Sequence, residues 1–277
     1  MKKLLSPILA LLSLSALASN DCTQKPESLG GEDFKVEITS YLLPSSRKHI
    51  LILPPTGGSN VLDRSWARKF CASGFNAHII ERWTLLDEFS TDLELHQRLY
   101  GRSQKAIGLV LDHLEGPEYV GVFGTSIGGI FTAMAMGIHD RIDAAFVITA
   151  GADMAALIAN SDQEAMTDLW EKRKSQFGIP DKKTYIDLLK PKIEYDPLQL
   201  PRKFDGKDLG MIIATEDTTV PTQNQISLQE FWKPKITIKL HSNHFWAIVK
   251  SSLWNSGKVV TFFKESSEKK RPITDKI

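Results

Sequence analysis

The residues best suited to chemistry lie in Gly124-Thr125-Ser126-Ile127-Gly128, a G-x-S-x-G turn. An apolar run, Tyr119 to Phe123, leads into it, and a helix-forming run, Phe131 to Met136, follows. Between a strand and a helix this turn is tight, so small residues must flank the serine and leave its hydroxyl at the tip. A serine hydroxyl is a weak nucleophile. It needs a base within hydrogen-bond reach and an acid to orient that base. Two later loops supply candidates, each directly after a β-prone run. Thr215–Pro221 follows Leu209–Ala214 and carries Glu216 and Asp217; His241-Ser242-Asn243-His244 follows Ile236–Leu240. Serine, acid and histidine in that order fit nucleophilic attack on an acyl carbon.

Other residues compete for these roles. Glu216 adjoins Asp217, and the shorter Asp217 is the expected acid. Asp153 follows the preceding strand and either reaches the histidine or starts a helix. His241, nearer its strand end, is expected to face the sheet or solvent. His49, His78, His96, His113 and His139 lie on strand ends or helices without a partner pattern and read as packing or surface groups. Trp83, Trp170, Trp232, Trp246 and Trp254 read mostly as core, with Trp170 and Trp246 the better pocket candidates among them. The turn has neither the G-x-G-x-x-G nor the G-K-[ST] spacing of nucleotide-binding loops, and H-E-x-x-H is missing too.

The elements that would position the site alternate. Strands are expected at Phe34–Leu42, His49–Leu53, Phe75–Ile80, Tyr119–Phe123, Ile142–Thr149, Leu209–Ala214 and Ile236–Leu240. Helices are expected at Val61–Ser73, Asp92–Leu114, after Ser126, at Gln223–Phe231 and from Phe245 to Phe263. Such alternation predicts an α/β fold, a mostly parallel central sheet with helices on both faces. Residues 152–207 interrupt it with three helix-like pieces and read as a helical cap insertion over the sheet's C-terminal edge, where open α/β sheets bind ligands. The stretch from Glu265 is polar and reads as a frayed tail.

With the serine turn, the Asp217 loop and His244 in place, the chain resembles the α/β-hydrolase fold family of serine hydrolases from about residue 34 to 263. The resemblance implies Ser126 as nucleophile, His244 as base and Asp217 as the acid holding the imidazole. It also implies an oxyanion hole from the Ile127 N–H and one N–H of the loop after the early central strand, Thr56 or Gly57. That loop, Pro54-Pro55-Thr56-Gly57-Gly58, departs from the His-Gly start of many members. The activity implied is hydrolysis of a small-molecule carboxylic ester or thioester, with no metal or organic cofactor. A peptidase or acyltransferase on the same scaffold, or a non-catalytic binding protein, are the alternatives.

The chain has 277 residues, 42% hydrophobic and 24% charged, with a net charge of +1, so nothing points to nucleic acid. Lys2 and Lys3, an apolar run to Leu17 and Ala16-Leu17-Ala18 read as a signal peptide, residues 1–18, predicting an exported protein with no stable membrane insertion after cleavage. Its loss leaves the chain near neutral. Cys22 and Cys71 either pair in a disulfide or remain a free, mobile thiol and a buried one. Oligomeric state is not encoded in any pattern here.

Overall fold

The computed structural model describes residues 22–31, 34–83 and 90–270. Eight strands form one sheet: β1 Thr23–Gly30, β2 Lys35–Leu42, β3 Lys48–Leu53, β4 Asn76–Ile80, β5 Tyr119–Thr125, β6 Ala144–Ile148, β7 Asp208–Ala214 and β8 Ile236–Leu240. Their order is β1-β2-β4-β3-β5-β6-β7-β8. β1–β2 and β2–β4 pair antiparallel, and every pairing from β4 to β8 is parallel. The helices are α1 Val61–Cys71, α2 Leu95–His113, α3 Ile127–Ile138, α4 Met154–Asn160, α5 Glu164–Phe177, α6 Lys182–Leu189, α7 Thr222–Trp232, α8 His244–Trp254 and α9 Ser256–Lys269.

Alternating strand residues feed two cores. Leu51 and Leu53 face α2, α3 and α7, whereas Ile50 and Ile52 face α1 and α9. On the second side Trp66, Phe70, Phe123 and Phe263 pack ring to ring. Strand β5 is buried throughout, which is why it reads as a continuous apolar run rather than an alternating one.

Parallel register brings the site's loops together. Leu53 pairs Gly124, Thr125 pairs Ile148, Ile148 pairs Ile212, and Ala214 pairs Leu240. The loops after β3, β5, β7 and β8 therefore leave the sheet at one edge. After β3 the chain moves outward to β4, then crosses back to β5 on the other side of β3. That reversal opens the crevice in which doubly wound sheets hold ligands.

Three features differ from the sequence expectation. β1 was not anticipated: it is an edge strand, mostly exposed and carrying Pro26, so it lacks the apolar alternation that betrays a strand. The single last helix is two, α8 and α9, separated at Asn255. The polar stretch from Glu265 is not a frayed tail up to Lys269. It continues α9, with Ser266 and Ser267 buried and Lys269 and Lys270 paired to Asp208 and Asp143. Small hydroxyls fit a packed surface that composition alone marks as solvent. The expected signal peptide, residues 1–18, lies outside the described residues, as does 271–277.

A disulfide joins Cys22 to Cys71, with Cα atoms 6.3 Å apart, and ties the start of β1 to the end of α1. Closing a loop with a sequence separation of 49 removes denatured-state entropy. Cys22→Ser with Cys71→Ser is expected to lower unfolding free energy by about 4 kcal/mol, read by urea denaturation.

A buried polar chain crosses three strands. Ser40 Oγ is 2.8 Å from His78 Nδ1, and His78 Nε2 is 3.0 Å from His49 Nδ1. Burial lowers His49 to about 4 and His78 to about 3, against an ordinary 6.5. Each is neutral in the fold but protonates when unfolded, so its stability contribution, full above pH 6.5, is lost as pH falls toward 4. Asp63, pushed by burial to about 7, acts in the opposite sense, favouring the fold below that pH. Asp63→Asn therefore steepens the fall in melting temperature between about pH 6.5 and 4. Parallel curves for variant and wild type would contradict this account.

Candidate active site

Ser126 sits at the turn between β5 and α3 with φ 56° and ψ −123°. A positive φ costs a non-glycine residue about 1–3 kcal/mol, so the surroundings must hold it. Its N–H donates to the Ile148 carbonyl at 2.9 Å, and its own carbonyl accepts from the Ile130 N–H at 3.0 Å. The glycines permit the approach of α3 to the sheet. A Cβ on Gly124 would strike the Gly128 carbonyl and the Thr132 hydroxyl; one on Gly128 would strike the carbonyl oxygens of Leu53 and Pro54. The first turn of α3 thus rests directly on the end of β3.

His244, the first residue of α8, reaches both other groups. Its Nε2 is 2.9 Å from Ser126 Oγ, and its Nδ1 is 2.7 Å from Asp217 Oδ2. An ionised carboxylate only accepts, so the proton belongs on Nδ1, and Nε2 is left to accept from the serine hydroxyl. The Asp217 side chain is fully buried. It is compensated by the N–H groups of Thr219 at 3.0 Å and Val220 at 2.9 Å, and by Gln225 Nε2 at 2.9 Å. Acid and histidine loops are stitched together: the Thr215 N–H donates to the Leu240 carbonyl, and that of Glu216 to Ser242.

The loop after β3 faces the serine from the other side. The Gly58 N–H closes a turn on the Pro55 carbonyl, and that of Ser59 goes to the Glu81 carbonyl. The N–H groups of Thr56 and Gly57 have no acceptor among the described residues. Both residues line one cavity with Ser126 and Ile127. Ile127 opens α3, where helical N–H groups lack intrahelical partners and the dipole favours negative charge. The Trp83 indole braces the loop by donating to the Pro54 carbonyl at 2.9 Å.

The cavity measures about 130 Å³. Trp83, Leu99, Phe131, Met154, Ile158 and Val220 contribute apolar wall. The stretch 152–207 supplies Met154, Leu157, Ile158 and Met166 to it. Asp162 fastens this stretch to the acid loop: its carboxylate accepts from the Thr218 and Thr219 hydroxyls, and its N–H donates to the Thr218 carbonyl.

Glu216 does not touch His244; it lies 3.1 Å from the exposed His241. Asp153 caps α4. Neither Trp170 nor Trp246 lines the cavity: Trp170 packs on Tyr185, and Trp246 on Phe245. The pocket tryptophan is Trp83, which the sequence reading assigned to the core. His96, read as packing, also lines the cavity. Gln225 went unnoticed because it belongs to a helix eight residues past Asp217, with no local motif to mark it.

No family model matches the chain, and no curated protein matches its sequence. Among solved structures it is similar to acetyl xylan esterase 1 from Thermoanaerobacterium sp. (TM-score 0.66, 13% identity, 91% of this chain and 86% of that one). It is also similar to the α/β hydrolase GrgF from Penicillium sp. (TM-score 0.63, 14% identity, 89% and 99%). A third is a puromycin-hydrolyzing peptidase of Mycobacterium tuberculosis (TM-score 0.61, 13% identity, 91% of this chain but 40% of that one). At these identities the likeness is one of fold.

The packing around the turn sets an expectation for two glycines. Gly128→Ala drives a methyl into backbone and lowers unfolding free energy by about 1–3 kcal/mol. Gly257→Ala meets nothing within 4 Å in α9 and raises it by up to about 1 kcal/mol. Equal effects in urea denaturation would show that the close contact of α3 with β3 is not a constraint.

Proposed function

On the α/β-hydrolase fold that this chain adopts, we propose that Ser126, His244 and Asp217 cleave a carboxylic ester through an acyl-enzyme. The observation that carries this is the imidazole bridging a buried carboxylate and a hydroxyl at 2.7 and 2.9 Å. Ser126 Oγ attacks the acyl carbon while His244 Nε2 takes its proton. Asp217 holds the ring and stabilises the resulting imidazolium. The tetrahedral oxyanion accepts from the Ile127 N–H and from Thr56 or Gly57. His244 then returns its proton to the leaving alcohol. Water repeats the sequence on the acyl-enzyme and releases the acid.

The apolar cavity supports an acyl group as the buried part of the substrate. A cavity of comparable size accommodates benzene, so a chain of up to about six carbons fits. We read the enzyme as exported. The Cys22–Cys71 disulfide belongs to an oxidising compartment, and the charged-then-apolar N-terminus is of the secretory type.

The test is a p-nitrophenyl ester series with a fluorophosphonate label. Wild type labels and turns over acetyl to hexanoyl esters in preference to long chains. Ser126→Ala neither labels nor turns over, and Asp217→Asn lowers kcat by about 10³–10⁴-fold. A wild type that resists the label returns the chain to a binding role on this scaffold. Cleavage of peptide amides in place of esters would favour a peptidase.

A further inference from the structure

Of the polar residues that line the cavity and that ester cleavage does not use, His96, Tyr100, Ser161, Gln163 and Thr219, His96 alone carries a buried polar side-chain atom without a hydrogen-bond partner among the described residues. His96, in the first turn of α2, is 4% exposed and lines the same cavity as Ser126. Its Nδ1 is buried and has no hydrogen-bond partner among the described residues. Tyr100 lies on the next turn, with its ring 5.9 Å away, and the wholly buried Arg173 is near enough for its charge to act on the imidazole. An unpaired polar atom in such a place is unfavourable, and a leucine of similar reach would avoid the loss. Burial, with a smaller contribution from the neighbouring Arg173 charge, lowers His96 to about 3. The ring is therefore neutral near pH 7, with one nitrogen donating and the other accepting.

A neutral ring suits a neutral partner. It cannot compensate the desolvation of a carboxylate, whereas a hydroxyl both donates and accepts and so matches either tautomer. We propose that His96 is a specificity-determining residue whose imidazole hydrogen-bonds a hydroxyl on the acyl chain, so that the cavity selects hydroxyacyl esters over plain alkanoyl ones. This inference rests on the ester-cleaving reading of the same cavity. It adds the class of acyl group.

The experiment compares wild type, His96→Leu and His96→Gln on a hexanoyl ester and on hydroxyhexanoyl esters with the hydroxyl moved along the chain. Wild type favours one hydroxylated member by about tenfold or more in kcat/KM. His96→Leu brings that ratio to about one without a lower melting temperature, because it removes an unpaired polar atom. His96→Gln, which keeps a donor and an acceptor, retains part of the preference. The same ratio in wild type and His96→Leu, or no favoured hydroxylated ester in the wild type, overturns the proposal. Should His96→Leu fail to fold, the comparison with His96→Gln and His96→Phe decides in the same terms. Calorimetric binding of hexanoate and the hydroxyhexanoates to Ser126→Ala repeats the comparison without turnover. Preferential binding of a hydroxy acid without any ester turnover sinks the ester reading alone. Turnover without preference sinks the His96 assignment alone.

Discussion

The contact between the first turn of α3 and the end of β3 is the constraint on which the rest of the site depends. Gly128 lies against the carbonyls of Leu53 and Pro54, closer than any side chain would allow. That approach holds Ser126 at φ 56° and sets Ser126 and Ile127 beside the Thr56–Gly57 loop in the wall of one cavity. The strain of the turn is local, and what offsets it is distributed. The Ile148 carbonyl accepts from Ser126, and a fully buried β5 leaves the turn no room to relax.

The electrostatics follow from the same edge. Asp217 could not be buried as an anion alone, since removing a lone carboxylate from water costs several kcal/mol. Two backbone N–H groups, Gln225 and the His244 N–H supply donors in its place. The carboxylate thereby orients the imidazole. Exposed Glu216, one residue away, pairs its carboxylate with exposed His241 instead.

Polar groups tie residues 152–207 to the rest of the fold at several places, and two of these ties flank the apolar packing over the serine. Asp162 fastens this stretch to the Thr218–Thr219 turn, beside the acid. The wholly buried Arg173 fastens it to the start of α2, donating to the carbonyls of Thr91 and Asp92 and to the Tyr185 hydroxyl. Between these anchors lie Met154, Leu157, Ile158 and Met166, which close the cavity over the serine. Both anchors join segments far apart in the chain, so the polar ties of residues 152–207 and the pocket's lining are products of packing.

The amino-acid sequence by itself determined the strand–helix alternation, the strand ends that carry Ser126, Asp217 and His244, and the glycine spacing at the turn. Each is legible because it depends on neighbours in the chain: apolar runs, breakers and small residues at fixed offsets. Tertiary structure alone decided the edge strand β1, the buried polar end of α9, the pairing of Cys22 with Cys71, and the choice of Trp83 and His96 over Trp170 and Trp246 as cavity walls. The physical reason is one of distance. Composition shows what a side chain can bury or bond, but the partner that realises it stands on another element. Only the register of the sheet and the packing of the helices on it bring the two together.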